Sequence, residues 1–160
     1  QECCRFRLEE NADAPFTAEP GSSVVMDPWT AFERMLINDG IRGYGVSPGT
    51  KLCRRETVMC PTPLLYEEGV HFGEDTMWIA GVLARCKRVV MDSSVLMRYS
   101  FGCENSLCRN ADTLTRLRHA RWKRSCLEAH ECSEEAIAAI RQEESQLTTR
   151  LLLGFGRKSF

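Results

Sequence analysis

The chain has 160 residues, which suits one ordinary domain or most of one. Its 21 lysines and arginines nearly balance 22 aspartates and glutamates, so overall charge gives no support to binding of nucleic acid or another polyanion. No run of about 18 apolar residues occurs, so no segment is expected to span a bilayer as a helix.

In chain order, residues 2 to 8 read as a strand. Pro15, Pro20, Gly21, Ser22 and Ser23 mark a loop, with Val24 and Val25 a short strand at its end. Asp27 is a good N-cap and Pro28 suits the first helical position. Phe32, Met35 and Leu36 supply the apolar stripe of that helix, and Gly40 is expected to end it. Residues 40 to 49 and 61 to 73, rich in glycine and proline, read as irregular. Glu74 and Asp75 then open a helix running to about Cys86, with Trp78, Ile79, Val82 and Leu83 on its buried face. Two short strands follow, Arg88 to Met91 and Val95 to Tyr99. From about Asp112 the pattern changes to two long helices. The first is basic, through Arg116, Arg118, Arg121, Lys123 and Arg124. The second is capped by Ser133, acidic at Glu134, Glu135, Glu143 and Glu144, and apolar along Ile137, Ile140, Leu147 and Leu151. An antiparallel hairpin of complementary charge is expected there.

The nine cysteines are odd in number, scattered and partly set in apolar runs. That distribution fits small reduced hydrophobes better than a disulfide framework, and a cytosolic setting follows from it.

Several pieces, in order, resemble the second half of an inverting family 2 glycosyltransferase. Glu2 to Leu8 resembles a strand that follows the family's metal-binding aspartates, and Glu10 to Asp13 sits at a polar turn. Asp27-Pro28-Trp29 opens a family helix, and Thr50 to Glu56 resembles its "KLyRRE" segment. Gly73-Glu74-Asp75-Thr76 resembles its "EDt" motif, and Val95 to Tyr99 with Asn105-Ser106 resembles its "lYxYr…nSi" segment, although Ser100 stands where Arg is usual. The match spans about Glu2 to Ser106.

The resemblance implies an α/β fold: the acceptor-side part of a GT-A, Rossmann-like domain over residues 1–111, with a helical extension over 112–160. It implies transfer of a sugar from a nucleotide-sugar donor to a saccharide acceptor with inversion, and a divalent cation, Mg2+ or Mn2+. It also points to bacterial envelope or capsular polysaccharide synthesis at the cytoplasmic side of the membrane. The family's Asp-x-Asp pair occurs nowhere, and Glu2 already lies past its expected position. The chain is therefore expected to be a fragment or truncated product lacking the donor-binding half, with the metal ligands outside it.

By the resemblance Asp75 is the catalytic base. Inverting transfer needs a carboxylate within reach of the acceptor hydroxyl, and a helix N-terminus is expected to favour the ionised form. Glu74 would orient Asp75 or bind an acceptor hydroxyl. Lys51 could offset developing charge on acceptor or donor phosphates. His71 is a candidate to touch the acceptor or the donor phosphate, Asn105 and Ser106 to line the acceptor cleft, and Trp29 and Tyr44 to stack on a sugar ring. Arg54, Arg55 and Tyr99 read as structural or solvated residues.

Three other readings compete. Cys126, His130 and Cys132, with Cys103 and Cys108, could hold zinc, but their spacings match no zinc pattern and no Cys-x-x-Cys occurs. The basic stretch from Arg109 to Arg124 could attach weakly to an anionic membrane surface, although an intramolecular role against the acidic helix explains it better. The third reading is a non-catalytic transferase fragment acting as an interaction module, since without a nucleotide crevice nothing holds the donor in line.

Overall fold

The computed structural model describes residues 2–8, 23–37, 46–99 and 111–156, with side chains over 23–37, 46–92 and 111–154. The expected turn at Glu10 to Asp13, the helix stop at Gly40, and Tyr44, Asn105 and Ser106 lie outside the described residues; so do the side chains of Cys3, Cys4, Tyr99, Cys103 and Cys108. The chain divides into two compact units, 1–103 and 104–160. Together they make a mixed α and β protein in which helix predominates.

Unit one contains strands β1 (Glu2–Leu8), β2 (Ser23–Met26) and β3 (Val89–Tyr99) and helices α1 (Pro28–Ile37), α2 (Arg55–Met59) and α3 (Glu74–Ala84), with a 3-10 turn at Pro48–Thr50. The sheet has the order β1-β3-β2. β1 runs parallel to β3, while β2 runs antiparallel to it, pairing Val25 with Val90. A parallel pair cannot be closed by a hairpin, so the chain between β1 and β3 crosses over through helices.

Asp27 caps α1 as expected. Its Oδ1 accepts from the backbone N–H groups of Trp29 (3.0 Å) and Thr30 (2.9 Å); the Thr30 side chain first, and then these backbone donors, hold the carboxyl below its usual range. Ala31, Phe32, Met35 and Leu36 of α1 are buried with Ile79, Ala80, Val82 and Leu83 of α3 and with Val89 and Met91 of β3. Phe32, Met35 and Ile79 are almost wholly enclosed, and each such side chain contributes about 1.5–3 kcal/mol through removal from water.

Two expectations need correction. The two short strands expected between Arg88 and Tyr99 are one strand of 11 residues, Val89–Tyr99. Its polar centre, Asp92-Ser93-Ser94, is absorbed by a register shift: Cys3 pairs with Met91 and Arg5 with Val95, so four steps on β3 match two on β1. Such an irregularity carries extra residues without ending the ladder. The second correction is α2, a short helix where only a family segment had been expected.

Unit two is the expected hairpin, α4 (Thr113–Ala129) and α5 (Glu134–Gly156). Asp112 caps α4, its Oδ1 accepting from the Thr115 N–H at 2.7 Å. Ser133 caps α5, its Oγ accepting from the Ala136 N–H at 3.2 Å. Leu117, Ala120 and Leu127 are buried with Ala136, Ile137, Ile140 and Leu147. Leu151, expected on that stripe, is only half-buried, and Leu152 and Leu153 are exposed. Across the seam Lys123 pairs with Glu143, Arg124 with Glu144, and Arg141 with Glu128.

Candidate active site

The site is built where α3 begins. Gly73 precedes the helix with φ of 82°, a left-handed conformation that favours glycine, and its carbonyl accepts from the Met77 N–H at 3.0 Å to close the first turn. Glu74 and Asp75 follow as the first two helical residues.

Residues 57 to 66 are laced against α3 as a strap. Arg85, just past the end of α3, donates through Nη1 to the carbonyls of Thr57, Val58, Cys60 and Thr62 at 2.8–3.4 Å. The Leu64 N–H donates to the Val58 carbonyl at 2.8 Å, and the Trp78 Nε1–H donates to the Leu64 carbonyl at 3.0 Å. Leu64 itself rests on Gly81, where an added Cβ would meet its Cδ1 at 3.0 Å. Trp78, expected on the buried face of α3, is instead half-buried under this strap. The reason is local: its indole N–H needs an acceptor, and the strap carbonyl supplies one.

These bonds bring Tyr66 over the helix start. Its ring stacks on Trp78, with centroids 5.7 Å apart and planes at 14°. Tyr66 remains 47% exposed. Lys51 approaches from the 3-10 turn, its Nζ donating to the Ser47 carbonyl and to Thr50 Oγ1, each at 2.9 Å.

Asp75 is half-buried, and its carboxyl is raised above the usual range, by desolvation first and by the neighbouring Glu74 second; Lys51 and the Tyr66 hydroxyl pull the other way. The helix N-terminus was expected to favour the ionised form. Loss of water and a like charge outweigh that here, which makes Asp75 a better proton acceptor once ionised. Tyr66 is raised in turn, by burial first and then by the two carboxylates.

Of the expected residues, Glu74 and Asp75 are neighbours at the helix start, and the charge of Lys51 acts on Asp75. His71 lies exposed two residues before Gly73. Trp29 belongs to α1, its ring meeting Phe32 edge to face at 5.8 Å, a contact within the helix. Tyr66 and Arg85 were not foreseen. Tyr66 is an aromatic residue in irregular surroundings, the same signal that drew attention to Trp29 and Tyr44, so it was open to the same argument.

The donor set beside Asp75 does not fit a divalent cation. The Lys51 ammonium is close enough to act on the carboxylate, and among the described residues no group of three His, Cys, Asp or Glu side chains could hold a metal. The latter observation covers Cys126, His130 and Cys132 as well. Cys126 is half-buried, and desolvation raises its thiol, as in a packed residue rather than a thiolate ligand. Much of the basic stretch on α4 is engaged inside the hairpin: Arg121, Lys123 and Arg124 all meet carboxylates of α5. No helix among the described residues is long and apolar enough to cross a membrane. Comparison with family models, curated proteins and solved structures finds no match to this chain.

Proposed function

We propose that this chain is the acceptor-side part of an inverting glycosyltransferase of the GT-A type, with Asp75 as the general base that takes the proton of a saccharide acceptor hydroxyl. The observation that carries the reading is the state of Asp75. It is a partly desolvated carboxylate at a helix start, raised in basicity by burial and by Glu74, with the Lys51 charge acting against that rise. A general base works best when its pKa approaches the operating pH while it stays ionised, and burial beside Glu74 moves Asp75 that way. Glu74 tunes that basicity by its charge. Lys51 offsets charge in the same corner, where negative charge would gather as a nucleotide diphosphate departs.

The parallel pairing of β1 with β3, with α3 leading into β3, is compatible with one part of a Rossmann-like sheet. The donor would be a nucleotide sugar, and the divalent cation of the family would be held by residues other than those around Asp75. Envelope polysaccharide synthesis at the cytoplasmic face of a bacterial membrane is the setting that family analogy supplies.

The test is Asp75→Asn in a protein that carries a donor-binding half. Turnover should fall by about 100-fold or more, as expected when a general base is removed, while UDP binding is retained. Unchanged turnover would sink the assignment of the base.

A further inference from the structure

The two ends of the hairpin expose different chemistry. Lys123 on α4 meets Glu143 on α5, which fixes how the helices lie against each other. Nine residues before Lys123 stands Leu114, and nine residues after Glu143 stands Leu152. Equal steps of about 1.5 Å per residue bring the two leucines to the same level, at the end away from the connecting turn. Leu114 is 45% exposed, Leu152 68% and Leu153 65%, so three large apolar side chains face water there. The seam does not use them; Leu117, Leu127, Ile140 and Leu147 close it. The same end is cationic. Arg118 lies one turn behind Leu114 on α4, Arg150 lies one turn behind Leu153 on α5, and both arginines are exposed. Residues three or four apart share a helix face, so each arginine stands beside its leucine. Among the described residues of that end the one carboxylate, Asp112, serves as the cap of α4 and accepts from the Thr115 N–H. The turn end is the reverse: Glu128, Glu131, Glu134 and Glu135 lie between 128 and 135, with no lysine or arginine among them.

We infer that the open end of the hairpin docks on an anionic lipid bilayer, with Leu114, Leu152 and Leu153 entering the acyl boundary and Arg118 and Arg150 meeting lipid phosphates. On both helices the leucine stands nearer the tip, and the arginine follows about 4.5–6 Å behind it along the axis. A bilayer interface asks for that order: apolar groups sink about 5–10 Å into the boundary, and cations stay at the headgroups above them. Arginine suits the place, since its stem lies along apolar surface while its paired N–H groups hold a phosphate. The acidic turn lies at the far end of α4, a helix of 17 residues and so about 25 Å long. An anionic leaflet repels that end and attracts the other, so the hairpin meets the surface by its tip. A second copy of this chain suits the tip less well, because a symmetric contact sets Arg118 and Arg150 against their own counterparts. The inference rests on unit two alone and is independent of the transferase reading.

The experiment is flotation of this chain with vesicles of phosphatidylcholine alone and with vesicles that also contain phosphatidylglycerol. The chain should float with the anionic vesicles and stay behind with the neutral ones, and added salt should weaken the binding. Arg118→Gln and Arg150→Gln should each lower the affinity by about fivefold, the share of one cation near an anionic leaflet. Leu152→Gln with Leu153→Gln should lower it by about tenfold or more, while the urea midpoint read by circular dichroism stays level, since both side chains lie outside the seam. If that midpoint falls, the two arginine variants decide alone. No flotation with anionic vesicles, or equal flotation with both kinds, overturns the inference. Binding that neither the leucine nor the arginine variants change overturns it too, because the contact then lies elsewhere on the chain. Sedimentation without lipid covers the second copy: a dimer that the leucine variants dissolve would assign the tip to self-association instead.

Discussion

In the hairpin, cations answer carboxylates; in the strap, one cation answers a row of backbone carbonyls. Arg124 meets both Glu144 and Glu128, Arg141 meets Glu128 as well, and Lys123 meets Glu143, so the pairs overlap and share partners. Arg85 alone collects the carbonyls of Thr57, Val58, Cys60 and Thr62. The hairpin is redundant in its polar bonds and depends on its apolar seam. The strap has little seam and depends on a few individual donors. Partly exposed ion pairs contribute about 0–1 kcal/mol each, whereas a carbonyl that loses its donor where water cannot replace it costs about 1–3 kcal/mol.

The largest effect should therefore come from the seam. Leu127 is fully enclosed between α4 and α5, and Leu127→Ala should cost about 3 kcal/mol, within the usual range for such truncations. Helical circular dichroism against urea would read it; a loss below about 1 kcal/mol would mean that ion pairs rather than packing hold the hairpin.

Acid should come next. His119 is held down from 6.5 to about 4, by burial first and by the Lys123 charge second. The folded hairpin keeps the imidazole neutral, while the unfolded chain protonates it near 6.5. Stability is therefore complete above that pH and is lost as pH falls toward about 4, by on the order of 2–3 kcal/mol. Thermal melts from pH 7 to 4 should show the loss, and His119→Gln should flatten the curve. A wild-type midpoint that stays level over that range would contradict it.

The smallest effect sharpens the contrast from the strap's side. Arg85→Gln should loosen residues 57 to 66 by about 1–2 kcal/mol, since parts of these carbonyls remain open to water. Amide exchange should speed up at Leu64, whose N–H bonds Val58, before it does so in α1. Equal protection in both would show that the strap does not rest on Arg85.

The same contrast explains what the sequence disclosed. α1, α4 and α5 were legible because caps and apolar spacing are local: Asp27 and Ser133 accept the expected backbone N–H bonds, and Asp112, which marked only the change of pattern, caps α4 in the same way. The charge complementarity of the hairpin was legible for the same reason. β3 read as two strands because Asp92-Ser93-Ser94 looks like a break, and only pairing with β1 turns it into a register shift. Trp78 and Tyr66 could not be placed by periodicity, since an irregular segment from 60 to 73 brings them together. The acidic pair at 74 and 75 was legible as a helix start, but not the direction of its pKa, which depends on what covers it. Of the expected site residues, Tyr44, Asn105 and Ser106 fall outside the described residues, and Trp29 is joined to Phe32.

Lys123 carries a consequence of its own. It is only 8% exposed, and its ammonium is matched to Glu143 on the opposite helix. A neighbouring pair, Arg124 with Glu144, crosses the same seam beside it. Sliding one helix past the other by a turn, about 5.4 Å, would strand that ammonium among apolar side chains and break both pairs together. An apolar stripe tolerates such a slip because leucine and isoleucine meet each other equally well in several alignments. The buried lysine does not, so it works as a ruler: it adds little to how tightly the helices hold, and it decides which alignment they hold in.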